Sequence, residues 1–387
     1  MKRSNLGLGA AVTLAMILGG LLRAALPVLS TQVRAEFGLS RTGFGLVLTG
    51  YLAAIALSAP LAGRLADAFG GRRALLARFA AAALGILLIA TAPNAWLVGV
   101  AVAFTGAGMA AGNPATNKLI ADLVPEGRRG TLLGVKQSGG QFGVLLAGAI
   151  LPALAGVWSW RGAVAVVVIV PVSGALLLAA AVPRDPERRT LRSVPSLDRR
   201  QRGPLVRFFV VTGLMGAAIQ SVFGFLPLYA SEALGFSLAS AGLVAVVVAA
   251  TSTIGRVVWA RATERAGRVA SPATALAATA ALAVALVALA EGAGGWLLWV
   301  GAALLGASAE SWNAVANVAV IRIIGPSATG RASGLMMFVT LAAGAVGPYA
   351  FGALADTTGS YTTSWLAAIA TYLIAAAVAL RWRVASR

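Results

Sequence analysis

The chain has no cysteine and no histidine in 387 residues. The first absence excludes disulfides and thiolate nucleophiles. The two together remove the commonest ligands of transition metals and the commonest general base. No metal and no cofactor are therefore expected, and the sequence reads as a protein that is not an enzyme. Acid is scarce as well: 12 Asp and Glu face 31 Lys and Arg, which leaves a net charge of +19. Charged residues of both signs make up only 11% of the chain, against about a quarter in a soluble domain. That is too little polar surface to cover a water-exposed globule.

What is present is apolar material, 59% of the residues, with a mean hydropathy of +0.86. It comes in stretches of about 20 residues, the length of an α-helix that crosses a bilayer core. Twelve such spans are predicted, at 7–30, 42–62, 74–92, 96–121, 131–155, 162–182, 206–230, 240–260, 273–290, 296–321, 332–354 and 362–380. The fold class is thus an all-α membrane protein. Lys2 and Arg3 precede the first span as they would in a signal peptide, but its length and the spans behind it favour a retained first helix. The most polar stretch, 183–205, divides the spans six and six. It reads as a cytoplasmic linker between domains 1–182 and 206–387.

The positive charge does not point to nucleic acid, because it sits in short loops between apolar spans. Alternate loops differ sharply. Arg64, Arg72, Arg73 and Arg78, then Arg128 and Arg129, then the arginine-rich linker and the matching loops of the second half all fall on one side. Only Arg34, Arg41 and Arg161 fall on the other. Positive-inside bias places both termini in the cytoplasm, with the chain in the inner membrane.

The halves also repeat. GAGMAAGNPATNK from Gly106 answers GASAESWNAVANV from Gly306, so that Gly106, Asn113 and Asn117 match Gly306, Asn313 and Asn317 at an offset of 200. The same offset relates Leu26–Pro27 to Leu226–Pro227 and Gly130 and Gly134 to Gly330 and Gly334. A parallel repeat about an axis along the membrane normal is one of the architectures of secondary transporters, with the site at the interface of the halves.

Between the second and third spans the sequence reads Gly63-Arg64-Leu65-Ala66-Asp67-Ala68-Phe69-Gly70-Gly71-Arg72-Arg73. This resembles the loop motif G-x-L-A-D-x-x-G-R-R/K of the major facilitator superfamily. The second half carries a degraded copy around Glu264. With the twelve spans, the linker and the repeat, the resemblance covers the whole chain. It implies two six-helix bundles related by a pseudo-two-fold axis and working by alternating access, with spans one, four, seven and ten lining a cavity. It also implies a gating set of Gly63, Asp67, Gly70, Arg72, Arg73 and Glu264, with Asp67 holding the start of span eleven near Arg331. Two departures narrow the family. Val102 stands where many proton-driven drug exporters carry an arginine before G-x-G. Span five has Gly143, Gly148, Pro152 and Gly156 without the Gly-Pro pair of those exporters.

Polar side chains inside a span are costly and usually face a cavity or the bundle interior. Glu310 falls near the middle of span ten, and it is expected to carry a proton. On a continuous helix, Glu310, Asn313 and Asn317 would lie within an arc of roughly 60° and share a face. Asn113 and Asn117 form the matching face of span four. These asparagines either line the cavity or bond neighbouring helices. Arg23, about 10 Å deep in span one, either snorkels outward or meets an anionic substrate. Lys136 stands five residues into predicted span five, within snorkelling reach of the cytoplasm, and is followed by Gln137. Gln220 in span seven is a further candidate cavity residue, whereas Arg256 is assigned to packing of the second loop motif. Substrate-binding candidates are therefore Arg23, Asn113, Asn117, Lys136, Gln137, Gln220, Asn313 and Asn317. The expected function is proton-coupled carriage, as uptake, of a small organic anion by a monomer in the bilayer. Export of drugs or metabolites is the alternative within the same superfamily.

Overall fold

The computed structural model describes residues 2–183, 202–266, 269–324 and 329–381. Most of the expected linker 183–205 and part of the second loop motif lie outside them. The described chain is helical: α1 (Lys2–Val28), α2 (Ser30–Phe37), α3 (Arg41–Phe69), α4 (Gly71–Thr91), α5 (Ala95–Met109), α6 (Gly112–Leu123), α7 (Glu126–Val157), α8 (Trp160–Val166), α9 (Ile169–Ala181), α10 (Arg202–Glu232), α11 (Leu238–Arg265), α12 (Ala270–Ala293), α13 (Trp296–Ala307), α14 (Trp312–Ile324), α15 (Thr329–Thr358) and α16 (Thr362–Leu380). Among the described residues, 11 segments are long and apolar enough to cross a membrane. The predicted tenth span is missing from that number for a structural reason: it is interrupted, with a 3₁₀ turn, Ala309–Ser311, between α13 and α14.

The chain forms two units. One comprises Met1–Phe37 with Gly50–Arg192, the other Gly38–Thr49 with Ser193–Arg387. In the first, α1 packs on α7 and α9, while α4 packs on α5 and α9. In the second, α10 packs on α15 and α16, while α12 packs on α13 and α16. This is the same scheme, helix for helix, and it gives the sequence repeat its structural content. Close backbone approaches repeat too. A methyl group at Gly143 would lie 2.0 Å from the Ile17 carbonyl oxygen, and one at Gly347 would lie 2.3 Å from that of Ala217. Small residues bring helix backbones together where lipid supplies no hydrophobic drive.

Helix ends are satisfied locally. Asn94 accepts from the Leu97 amide at the start of α5, and Ser237 accepts from Ser240 at the start of α11. In the first unit Glu36, at the end of α2, accepts from Arg161 Nη2 at 2.6 Å and from the Trp160 indole. The Arg161 guanidinium holds the Glu36 carboxyl below its ordinary value of 4.5. In the second unit the start of α3 is clasped. Asp356 accepts from the amides of Arg41 (3.2 Å) and Thr42 (2.7 Å) and from the Thr42 hydroxyl. Arg41 lies over the Tyr361 ring and donates to Glu232, which also accepts from the Tyr361 hydroxyl.

Candidate functional site

Both innermost polar regions are built around a break in a helix. In the first unit the helical run stops at Met109 and resumes at Gly112; in the second it stops at Ala307 and resumes at Trp312. The two restarts are 200 positions apart, so the breaks belong to the repeat. Just before each break a glycine admits a neighbour. A methyl group at Gly106 would lie 2.4 Å from the Tyr51 carbonyl oxygen, and one at Gly306 would lie 2.1 Å from the Thr251 hydroxyl. Positions 51 and 251 again differ by 200. Irregular backbone at membrane depth is tolerated only within protein or along a water-filled cavity. Interrupted helices in corresponding places of two halves are the strongest pointer to a transporter's site.

Three charged side chains are buried among the described residues: Arg78, Lys136 and Glu310. Lys136 is 1% exposed and does not snorkel. The structure begins α7 at Glu126, five residues before the predicted span, so Lys136 is about 15 Å along the helix. Its ammonium donates to the Thr116 hydroxyl at 2.8 Å and to the Asn117 side-chain oxygen. Both partners are on α6, one and a half turns beyond the break. Thr116 passes its own proton to the Gly112 carbonyl, which fixes its lone pairs toward Lys136.

Positive-inside counting places Arg78 with the loop arginines. It is a bundle residue instead, 3% exposed on α4, and its Nε and Nη1 have no hydrogen-bond partner. It lies within electrostatic range of Lys136 and of Tyr51, and Tyr51 in turn lies within range of Arg23. Arg23 is half-buried on α1. Of the expected site residues, the first unit brings Lys136 and Asn117 into contact; Arg78 and Tyr51 were not among those expected. Asn113 is half-buried nearby on α6, while Gln137 is exposed on α7.

In the second unit Glu310 is 6% exposed and sits in the 3₁₀ turn itself. Its main-chain carbonyl accepts from Arg256 Nη2 at 3.4 Å. Arg256 therefore reaches the break from α11. Asn313 and Asn317 are exposed, so Glu310 does not share their environment as a continuous helix would require; the turn resets the register. Gln220 is half-buried on α10.

The gating set lies at the ends of α3, α4 and α11. Gly70 joins α3 to α4 with φ +93°, a conformation that explains glycine there. Gly63 is half-buried, while Asp67, Arg73 and Glu264 are exposed. Arg72 Nη2 donates to the Ala179 carbonyl at 3.3 Å, and Arg322 Nη2 donates to the Glu264 carbonyl. The side chain of Arg331 lies outside the described residues.

Comparison with known proteins decides the family. The Major Facilitator Superfamily profile matches residues 10–339 and, in a second alignment, 208–387. The chain belongs to the major facilitator superfamily. That superfamily consists of transporters, not enzymes, and the chain is a multi-pass membrane protein of that kind. An uncharacterized MFS-type transporter of Mycobacterium tuberculosis is 27% identical over 78% of this chain and 66% of its own length. The chain thus spans just under two thirds of that relative. A multidrug resistance protein B homolog of M. tuberculosis is 32% identical over 39% of the chain and 28% of its own length. A gentisate transporter of Corynebacterium glutamicum is 27% identical over 39% of the chain and 34% of its own length. Among solved structures, a bacterial homolog of the human lysosomal transporter Spinster, inward-facing and unoccupied, superposes with a TM-score of 0.78. It is 15% identical and covered over 100% of both chains. At that identity it shows the major facilitator fold alone.

Proposed function

We propose that this major facilitator protein is a proton-coupled carrier that takes up a small organic anion across the inner membrane, with both termini in the cytoplasm. One observation carries the reading. The buried charges of the first unit are two cations, Arg78 and Lys136, and among the described residues no acid is buried with them. Two uncompensated cations in a poorly solvated interior call for a counter-charge, and a transported anion supplies it. Arg23 and the amides of Asn113 and Asn117 complete the substrate side in this reading. The gentisate transporter among the relatives handles an anion of the expected kind. A second reading, export of drugs, has the multidrug resistance relative in its favour. Val102, in place of the exporters' arginine, counts against it.

Glu310 is assigned the proton. It is the one buried carboxylate among the described residues, and it sits in the 3₁₀ turn that interrupts the helix. Asp67 and its loop act on the rate of the cycle, not on the solute. The test is Glu310→Gln in proteoliposomes with a panel of labelled acids. Counterflow exchange is expected to survive and accumulation driven by a pH gradient to disappear. Accumulation by the variant under a proton gradient alone would remove Glu310 from coupling.

A further inference from the structure

Arg78 is the buried cation with the most unspent hydrogen-bonding capacity. Its side chain extends from α4 into a slot walled by glycines of two other helices. A methyl group at Gly112 would stand 3.0 Å from Cζ and 3.1 Å from Nε, and one at Gly19 would stand 3.4 Å from Nη2. Gly112 therefore keeps room for the guanidinium itself, while a methyl group at Gly19 would only reach ordinary contact with it. In that room Nε and Nη1 meet no acceptor. Lys136 has three N–H donors and spends two on Thr116 and Asn117. At least three donors, two of them on a guanidinium, are thus available within one positively charged region.

We propose that Arg78 anchors an anion subsite in the first unit, with Lys136 as its second charge and Tyr51 at its edge, and that the subsite takes one carboxylate group of the transported acid. The proposal rests on the anion-carrier reading and names the group by which the substrate is held. A carboxylate fits better than a phosphate. A guanidinium is the side chain suited to it. A phosphate dianion has a third terminal oxygen and a second charge, and so asks for more donors than a carboxylate in a buried place. Thr116 acts here as a positioning residue: its lone pairs hold the ammonium while its proton is tied to Gly112.

The experiment uses the full chain in proteoliposomes, with labelled benzoate, 3-hydroxybenzoate and succinate as counterflow probes and inorganic phosphate as competitor. For whichever acid the unaltered protein exchanges, Arg78→Gln is expected to raise the half-saturation concentration about thirtyfold or more, the usual consequence of removing one partner of a buried charge contact. Arg78→Lys should recover part of that loss. Gly112→Ala, which crowds the guanidinium without removing it, should weaken exchange several-fold, and it gives the answer if Arg78→Gln does not fold. Phosphate should not compete. Unchanged half-saturation in a folded Arg78→Gln, or in Gly112→Ala if that variant alone folds, would overturn the subsite while leaving the carrier reading intact. Competition by phosphate would overturn the carboxylate assignment. If the unaltered protein exchanges none of these acids, the anion-carrier reading falls and the subsite with it.

Discussion

Lys136 shows how a single side chain carries both cost and function in this protein. Its ammonium is buried, it has two neutral oxygen partners, and the charged side chain that acts on it, Arg78, has the same sign. Neutral oxygens solvate an ammonium but do not cancel its charge, so the pair Arg78 and Lys136 is held against repulsion and desolvation. Lys136→Met keeps the length of the side chain and removes the charge. The variant is expected to unfold at the same temperature or a higher one, with a gain of up to about 1 kcal/mol, and to lose exchange of the anion. Active sites commonly trade stability for function in this way. Thermal unfolding in detergent, followed beside counterflow, checks both halves of the expectation. A destabilised variant that still exchanges its substrate would show that Lys136 is a structural strut. The sequence could not place this residue. With the span drawn from 131, Lys136 had solvent within reach; the five extra residues of α7 took it away. Arg78 has a different reason: hydropathy does not show which face of a helix an arginine near its end occupies.

At the scale of an element, the start of α3 and the two broken helices show how backbone groups are accounted for. The first amides of a helix have no partner inside it. In α3 the Gly43 amide goes to the Ser40 hydroxyl, while those of Arg41 and Thr42 go to Asp356 of α15. One carboxylate thus acts as a cap from another helix and also complements the positive end of α3. Asp356→Ala is expected to cost about 0.5–2 kcal/mol, the range for loss of a cap, and to lower the unfolding temperature measurably. Asp356→Asn should cost less, because the amide oxygen still accepts. An unchanged unfolding temperature for the alanine variant would mean that water replaces the cap without penalty. Of these features, the Asp356 cap was not legible in the sequence, since it stands more than 300 residues away in the chain. The break at Glu310 was equally hidden. Neither Gly nor Pro marks positions 308–311, and a hydropathy window runs across them as one apolar span.

For the whole molecule, the repeat and the alternation of arginine are the organising facts. The packing of α1, α4, α5, α7 and α9 recurs in α10, α12, α13, α15 and α16, and the helix restarts at Gly112 and Trp312 keep the offset of 200. With the basic loops, this predicts twelve crossings and two cytoplasmic termini. Reporter fusions at Arg189 and Gly359 are expected to fall in the cytoplasm and the periplasm respectively. The same location for both would overturn the scheme.

The sequence by itself determined the class, the family and the repeat. Each rests on properties that add along the chain: hydropathy over about 20 residues, charge in alternate loops, and identities at a constant offset. The tertiary structure alone decided which cations are buried, where span ten breaks, and which oxygens face Lys136. Those depend on the direction of single side chains and on contacts between segments far apart in the chain. A sum over neighbouring residues does not contain that information. The slot around Arg78 illustrates it: a guanidinium from α4, a glycine from α1 and another from α6 carry no signal separately, and together they surround a buried cation whose Nε and Nη1 meet no acceptor.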